Sequence, residues 1–228
     1  AKQIRLTTIL TEQVKSKEES RKIMVAILSQ IVEFRNGESG LHVTRVNALV
    51  KILLERLRQV TDQYNISWVK QDLIVMASSL HDIGKIGIDD KILNKNGKLT
   101  KEEFEVMKTH TLIGASILEN LEEYQKEPLV QTAYEICRWH HERYDGNGYP
   151  DSLKGDDIPI SAQVVSLADV YDALVSKRVY KESYTHETAM RMILDGECGV
   201  FNPVLLQCLK DIATDIPDKI YRGGVKLC

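Results

Sequence analysis

Leu73-Ile74-Val75-Met76-Ala77-Ser78-Ser79-Leu80-His81-Asp82-Ile83-Gly84-Lys85 is the stretch whose reading decides the fold. Leu73, Met76, Ala77 and Leu80 recur at helical spacing, which predicts a core helix running into His81-Asp82. Polar groups carried that way toward an interior are costly unless they are paired or hold a cation. Taken alone, the pair reads as a helix end whose histidine is satisfied in the core. The remainder of the chain decides between these readings.

Downstream, Lys95-Asn96-Gly97-Lys98 reads as a turn, and Thr100 with Glu103 as a capping box. The helix it opens carries Phe104, Met107, His110, Gly114, Ile117 and Leu121 on one face, so His110 stands on the core stripe. Gly114, one turn on, removes a side chain beside it and makes room there. Pro128 signals another helix start, with Val130, Ala133, Ile136, Cys137 and His140 on one face. His140 and His141 are adjacent, and neighbours on a helix point about 100° apart. Both can face one site only at a helix end, which the run Asp145-Gly146-Asn147-Gly148-Tyr149-Pro150 supplies. After Ile158-Pro159-Ile160, Ser161 is a candidate N-cap. Its helix has Val164, Val165, Ala168, Tyr171 and Asp172 on the core face, with Asp169 at the border. The basic run from Ser176 to Lys181 is either a solvated helix end or a clamp for phosphate. A helix around 186–195 follows, then another opened by Asn202-Pro203. The tail after Pro217 reads as peripheral.

Upstream, residues 1–35 read as helix, with stripes at Ile4, Ile9, Leu10 and Val14 and at Met24, Ile27, Leu28, Ile31 and Phe34. Two readings stand side by side: a helix with a solvated middle turn, or a connector or dimerisation helix. After the turn from Arg35 to Gly40 comes a strong helix with Val46, Leu49, Val50, Leu53, Leu54 and Leu57 on one face. His42 stands at its start, four residues after Glu38. The two share a face, and can share a metal, if the helix reaches back that far. Otherwise Glu38 serves the helix dipole and His42 is exposed. No run alternates with period two over strand length, so the expectation is an all-α bundle of roughly eight to ten helices.

The 43% hydrophobic and 28% charged composition is that of an ordinary globular protein, and the net charge of -3 gives no sign of a basic nucleic-acid footprint. No apolar run approaches the roughly 20 residues of a membrane span. Cys137, Cys198, Cys208 and Cys228 form no Cys-x-x-Cys, which argues against a thiolate zinc site and fits a reduced cytosol. The chain opens without Met and mid-helix, the texture of a piece of a longer protein.

Five of the six histidines (His42, His81, His110, His140 and His141) fall at helix ends or on core stripes, in company with Glu38, Asp82 and Asp169. Nitrogen and oxygen donors without thiolates suit Fe, Mn or Zn. Eight candidates exceed the needs of one ion. A bridging carboxylate, for which Asp82 is best placed, would hold two, and Glu38 with His42 could add a third. Such a pair serves in-line phosphoryl displacement. Lys85, one turn past His81, would offer a point charge to a phosphate oxygen.

Beyond these readings, His81-Asp82 with the later Asp169 resembles the HD phosphohydrolase superfamily. The run His140-His141-Glu142-x-x-Asp145-Gly146-x-Gly148-Tyr149-Pro150 resembles its HD-GYP subfamily. So do His81-Asp82-Ile83-Gly84-Lys85, Lys98-Leu99-Thr100, His110-x-x-x-Gly114, Ile158-Pro159, Ala168-Asp169-x-Tyr171-Asp172-Ala173-Leu174 and Arg178-x-Tyr180-Lys181. The likeness covers about residues 36 to 212. It implies an HD-domain helical bundle with a C-terminal GYP extension over 36–228, preceded by a connector over 1–35 from an upstream receiver or sensor module. It implies a cytoplasmic bacterial phosphodiesterase that hydrolyses cyclic di-GMP to pGpG and often on to GMP at a bi- or trinuclear Fe or Mn centre. His42, His81, Asp82, His110, His140, His141 and Asp169 match the family's metal ligands. Glu38 matches the extra carboxylate of the trinuclear type. Lys85, Tyr149, Arg178 and Lys181 match positions that touch substrate, and Asp82 and Lys85 are the catalytic candidates. A diguanylate cyclase domain as partner and a homodimer through the N-terminal helix are further expectations. The chain departs from the family pattern at Asp89 (usually Pro), Gln163 (usually Arg), Val179 (commonly Pro) and Asn202 (Asp), none of them a ligand position. Two other readings remain open: a binding or interaction module without turnover, and a phosphodiesterase for another cyclic dinucleotide.

Overall fold

A computed structural model describes residues 2–36, 40–176 and 183–222. Its regular structure comprises α1 (Lys2–Arg35), α2 (His42–Val60), α3 (Trp68–Ser78), α4 (Asp90–Leu93), α5 (Lys101–Lys108), α6 (His110–Glu119), α7 (Pro128–Trp139), α8 (Ile160–Val175), α9 (His186–Leu194) and α10 (Pro203–Ile212). Short 3-10 turns, among them Ile83–Gly87, and a π turn over Pro217–Arg222 complete it. The all-α expectation holds among the described residues.

Helix α2 is the axis. Val46, Leu49, Val50, Leu53, Leu54 and Leu57 are buried along it as their spacing predicts. Helices α3, α8 and α10 pack around it, while α6 and α7 pair beside α3. Each fully buried leucine of this axis stabilises by about 1.5–3 kcal/mol. Helix ends follow chemistry legible in the sequence. Thr100 and Glu103 form the reciprocal capping box, Pro128 occupies the first turn of α7, and Asn202 accepts from the Val204 amide.

The structure differs from the sequence reading in five places. Helix α3 stops at Ser78, so His81 and Asp82 lie in the following turn rather than on the helix. The helix expected across 101–121 is two, because the chain breaks at Thr109 and restarts at His110. Ser161 is not a cap. Pro159 holds that position, and the Ser161 hydroxyl donates to Glu135 at 2.6 Å. On α1, Met24, Ile27, Leu28, Ile31 and Phe34 face outward, and the buried face is Val25, Ser29, Val32 and Glu33. The stripe was periodic but did not mark the packing side, since the helix meets the bundle only through its last turns. The described part of the tail after Pro217 is not peripheral either: Ile220 is buried, and the Tyr221 hydroxyl donates to Asp172 at 2.7 Å.

Candidate metal centre

Five separate segments deliver the predicted side chains that fall among the described residues. His42 is the first residue of α2, His81 and Asp82 lie in the turn after α3, His110 starts α6, and His140 and His141 end α7. Asp169 comes from the middle of α8. His140 is the C-cap of its helix, so the adjacent pair stands at a helix end as the Gly-rich run required.

The donor atoms form two groups. His42, His81 and Asp82 offer donors within 4.8 Å of one another, and so do His110, His140 and His141. Asp82 lies between the groups: its carboxylate is 3.3 Å from His81 Nε2, 3.4 Å from His110 Nε2 and 3.9 Å from His140 Nε2. Asp169 is 3.5 Å from His42 Nε2. Lys85 Nζ sits 2.6 Å from Asp82.

Hydrogen bonds fix how the rings face. Nδ1 of His81 meets the Ser78 carbonyl at 2.8 Å, His110 that of Met107 at 2.7 Å, and His140 that of Ile136 at 2.8 Å. His42 Nδ1 instead meets Asp172 Oδ2 at 2.8 Å. Carbonyl and carboxylate oxygens only accept, so each Nδ1 is the donor. The buried Nε2 atoms of His81, His110 and His140 have no hydrogen-bond partner. Buried polar atoms left that way need an explanation, and a cation supplies one.

Charge is divided unequally. Burial would lower His81, but the Asp82 carboxylate outweighs it and pushes the imidazole up to about 9. Burial would raise Asp82, yet Lys85 and His81 hold it well below the usual carboxylate range. Burial lowers His110. Burial with His81 and His110 lowers His140 to about 3, and burial with His140 lowers His141 well below its ordinary value. Three neutral imidazoles therefore face a carboxylate, a donor set that fits a divalent ion.

The Gly-Tyr-Pro loop closes one side. Tyr149 stacks on His141 with ring centroids 4.8 Å apart, and Lys108 Nζ stands 5.5 Å from the Tyr149 ring. Glu142 is buried and accepts from the Asp151 amide at 2.7 Å, so it ties the far end of the loop to the histidine pair. The space left by Gly114 is taken by backbone. A Cβ on Gly84 would lie 1.8 Å from the His110 carbonyl oxygen and 2.4 Å from Gly114 N. Two glycines thus let the His81–Lys85 turn lie directly on α6.

Sequence reading missed several residues here. Asp172, placed only on the core face, accepts from His42, Arg45 and Tyr221, the last at 2.7 Å. Glu33 is buried in the small cavity lined by His42, His81 and Asp82, and accepts from the Val43 amide at 2.8 Å. Its signal was an acid on the true inner face of α1, which the outward apolar stripe concealed. Two departures from the family pattern meet each other: Asn202 Nδ2 donates to Gln163 Oε1 at 2.9 Å, a neutral amide pair where Arg and Asp are usual. Asp89 caps α4. Glu38, Arg178, Val179 and Lys181 lie outside the described residues.

Residues 26–199 match the HD domain family. A probable cyclic di-GMP phosphodiesterase of Vibrio cholerae serotype O1 is 46% identical over 187 residues, covering 80% of this chain and 42% of the relative. A 3'3'-cGAMP-specific phosphodiesterase of the same organism is 41% identical over 191 residues, covering 84% of this chain and 34% of the relative. The matched stretch thus spans less than half the length of these relatives. A solved structure of a cyclic GMP-AMP-specific phosphodiesterase from V. cholerae superposes with a TM-score of 0.60 at 17% identity, over 90% of this chain and 51% of the other. That similarity shows the helical fold. Motifs, ligand geometry and relatives agree, and the chain belongs to the HD domain family, in its HD-GYP branch.

Proposed function

We propose that this chain is a metal-dependent phosphodiesterase that cuts cyclic di-GMP to linear pGpG, with GMP as a further product. The observation that carries it is Asp82, set between two groups of histidines whose buried Nε2 atoms at His81, His110 and His140 lack hydrogen-bond partners. A satisfied core histidine needs no such arrangement.

In this reading His42, His81, Asp82, His110, His140, His141 and Asp169 hold two ions, and Glu38 with His42 adds a third. The nitrogen and oxygen donors suit Fe or Mn. Bound ions supply positive charge to the phosphate and acidify a water. The chain's own contribution is placement. Asp82 joins the two halves, and Lys85, held at 2.6 Å from it, brings a cation to the phosphate oxygens. Tyr149, Arg178 and Lys181 complete the substrate contacts. Residues 1–35 serve as connector to a receiver or sensor module and 36–228 as the catalytic unit. The outward apolar face of α1 suits a homodimer, and a diguanylate cyclase domain is the proposed protein partner. No helix among the described residues is long and apolar enough to cross a membrane, in keeping with action on a soluble nucleotide.

A second substrate has a specific observation behind it, since one relative 41% identical carries the name of a 3'3'-cGAMP-specific enzyme. The test incubates reduced iron- or manganese-loaded protein with cyclic di-GMP and, separately, with 3'3'-cGAMP, and resolves the products by chromatography. Formation of pGpG from cyclic di-GMP is the expected result. Preferential cutting of 3'3'-cGAMP would move the assignment to that nucleotide. Binding of either without turnover by metal-replete protein would make the chain a binding module.

A further inference from the structure

We propose that the inner end of α1 sets the geometry of the turn carrying Asp82 and Lys85, with Arg35 as the positioning residue. The proposal rests on the phosphodiesterase reading for its kinetic consequence, but not for its structural one.

In the 3-10 turn Ile83–Gly87 and the extended residue after it, the Lys85 carbonyl accepts from the Ile88 amide at 3.1 Å, while the carbonyls of Ile86 and Ile88 point past the end of the ladder. Such groups need donors from elsewhere. Arg35, the last residue of α1, supplies them. Its Nη1 donates to the Lys85 carbonyl at 2.9 Å and to that of Ile86, and its Nη2 donates to the Ile88 carbonyl at 2.6 Å. Nη2 also pairs with Asp90 at 3.0 Å, and Asn94 Nδ2 returns a hydrogen bond to the Arg35 carbonyl at 3.1 Å. A planar fork with five donors can span three carbonyls at once; an ammonium cannot hold them in the same fixed plane. A cation at the carbonyl end of a helical turn is electrostatically favoured as well.

Two further contacts make this end of α1 more than a local cap. Ser29 Oγ donates to the Ser79 carbonyl at 2.8 Å, two residues before His81. Glu33 Oε1 accepts from the amide of Val43, the residue after His42. The last two turns of α1 thus grip, by hydrogen bonds, the segments bearing His42, His81, Asp82 and Lys85. Between residues 9 and 24 of the same helix no side chain is buried, and the helix spans 34 residues, about 50 Å at 1.5 Å per residue.

The experiment compares manganese-loaded wild type with Arg35→Ala, Arg35→Lys and Arg21→Ala, the last a control on the exposed length, where Arg21 pairs with Glu18 at 3.7 Å. It reads amide hydrogen exchange over 82–88, metal content, and kcat and KM for cyclic di-GMP. In Arg35→Ala, exchange of those amides rises by at least about tenfold, the change given by losing one charge-assisted hydrogen bond. The kcat falls about 100-fold, the cost of a misplacement near 1 Å, while KM moves much less. Arg35→Lys recovers part of both, and Arg21→Ala changes neither. A folded, metal-replete Arg35→Ala protein with wild-type kcat overturns the proposal, whether or not exchange changes. If Arg35→Ala fails to fold, Arg35→Lys decides by the same two readouts. If wild type itself leaves cyclic di-GMP intact, the phosphodiesterase reading fails. Exchange over 82–88 then decides alone whether Arg35 positions the turn.

Discussion

The two groups of histidines that face Asp82 are held by different means. His110 is oriented by the Met107 carbonyl at the end of α5, three residues back, and His140 by the Ile136 carbonyl of α7, four residues back, and with His141 they lie on two helices that pair directly. His42 is oriented by Asp172, 130 positions away, and that carboxylate is itself held by Arg45 and by Tyr221 from the last described turn. The first group is nearly assembled once α6 and α7 form. The second exists only when the N-terminal helix, α2, α8 and the C-terminal turn have all docked. Their charges differ too: neutral imidazoles on one side, carboxylates and a raised His81 on the other. A centre built this way has one half that is robust and one that reports on the whole fold.

Removing the group between the halves has the largest expected effect. Asp82→Ala should reduce turnover roughly a thousandfold, as loss of a preorganised charge at a phosphoryl-transfer site does. Metal analysis should show the ion lost from the His42 side first, with the far-UV helical signal kept. Equal retention in both halves would mean that Asp82 does not join them.

Separating the halves sterically comes next. Gly84→Ala drives a Cβ into the backbone of His110 and Gly114, which cannot yield as a flexible side chain would. A destabilisation of about 3 kcal/mol is expected from such overpacking. Urea denaturation of the metal-free protein measures it. A shift under 1 kcal/mol would mean that the Asp82 turn lifts away from α6 at little cost.

That pair of glycines also shows what could be read in advance. Helix periodicity located the α2 axis, and the capping box and the prolines located helix starts. Local chemistry even placed His140 and His141 at a helix end. What eluded the sequence was which surface each helix turns toward its neighbours. The outward stripe of α1 is as periodic as an inward one, because burial depends on the partner and not on spacing alone. Gly114 announced a space, but not that the Gly84 backbone fills it. Asp172, Glu33 and Arg35 act across 130, 10 and about 50 positions, distances at which only docking creates the contact. Seven of the eight ligand candidates fall among the described residues, and they stood out because His and Asp are improbable on core stripes and at buried helix ends. Their supporting partners sit where Asp, Glu and Arg are ordinary.

A milder perturbation tests the tertiary half alone. Asp172→Asn preserves shape while removing the charge that orients His42 and strengthens it as a donor. Outer carboxylates of this kind contribute roughly 10- to 100-fold in metal affinity. Manganese titration by calorimetry should show one class of site weakened by that amount and the other unchanged. The three-histidine side offers no equivalent target at His110 or His140, since their Nδ1 atoms rest on backbone carbonyls. Weakening of both classes together would show that the two halves load as one unit.

The smallest effect is expected at the seam. Cys137, on α7, is buried three residues before His140, and its thiol donates to the Leu80 carbonyl at 3.0 Å, beside His81. A cysteine so close to a metal centre invites assignment as a ligand. Burial pushes its thiol far up, whereas a ligating sulfur must be a thiolate, and its hydrogen is already engaged with a carbonyl. Its role is to fasten α7 to the turn after α3. Cys137→Ala should therefore leave metal content and kcat unchanged and cost only about 1 kcal/mol, the worth of one hydrogen bond. Loss of an ion in this variant would place sulfur in the coordination shell and shift the preference toward softer metals. Unaltered metal with lowered stability would show that the two halves are joined by packing as well as by Asp82.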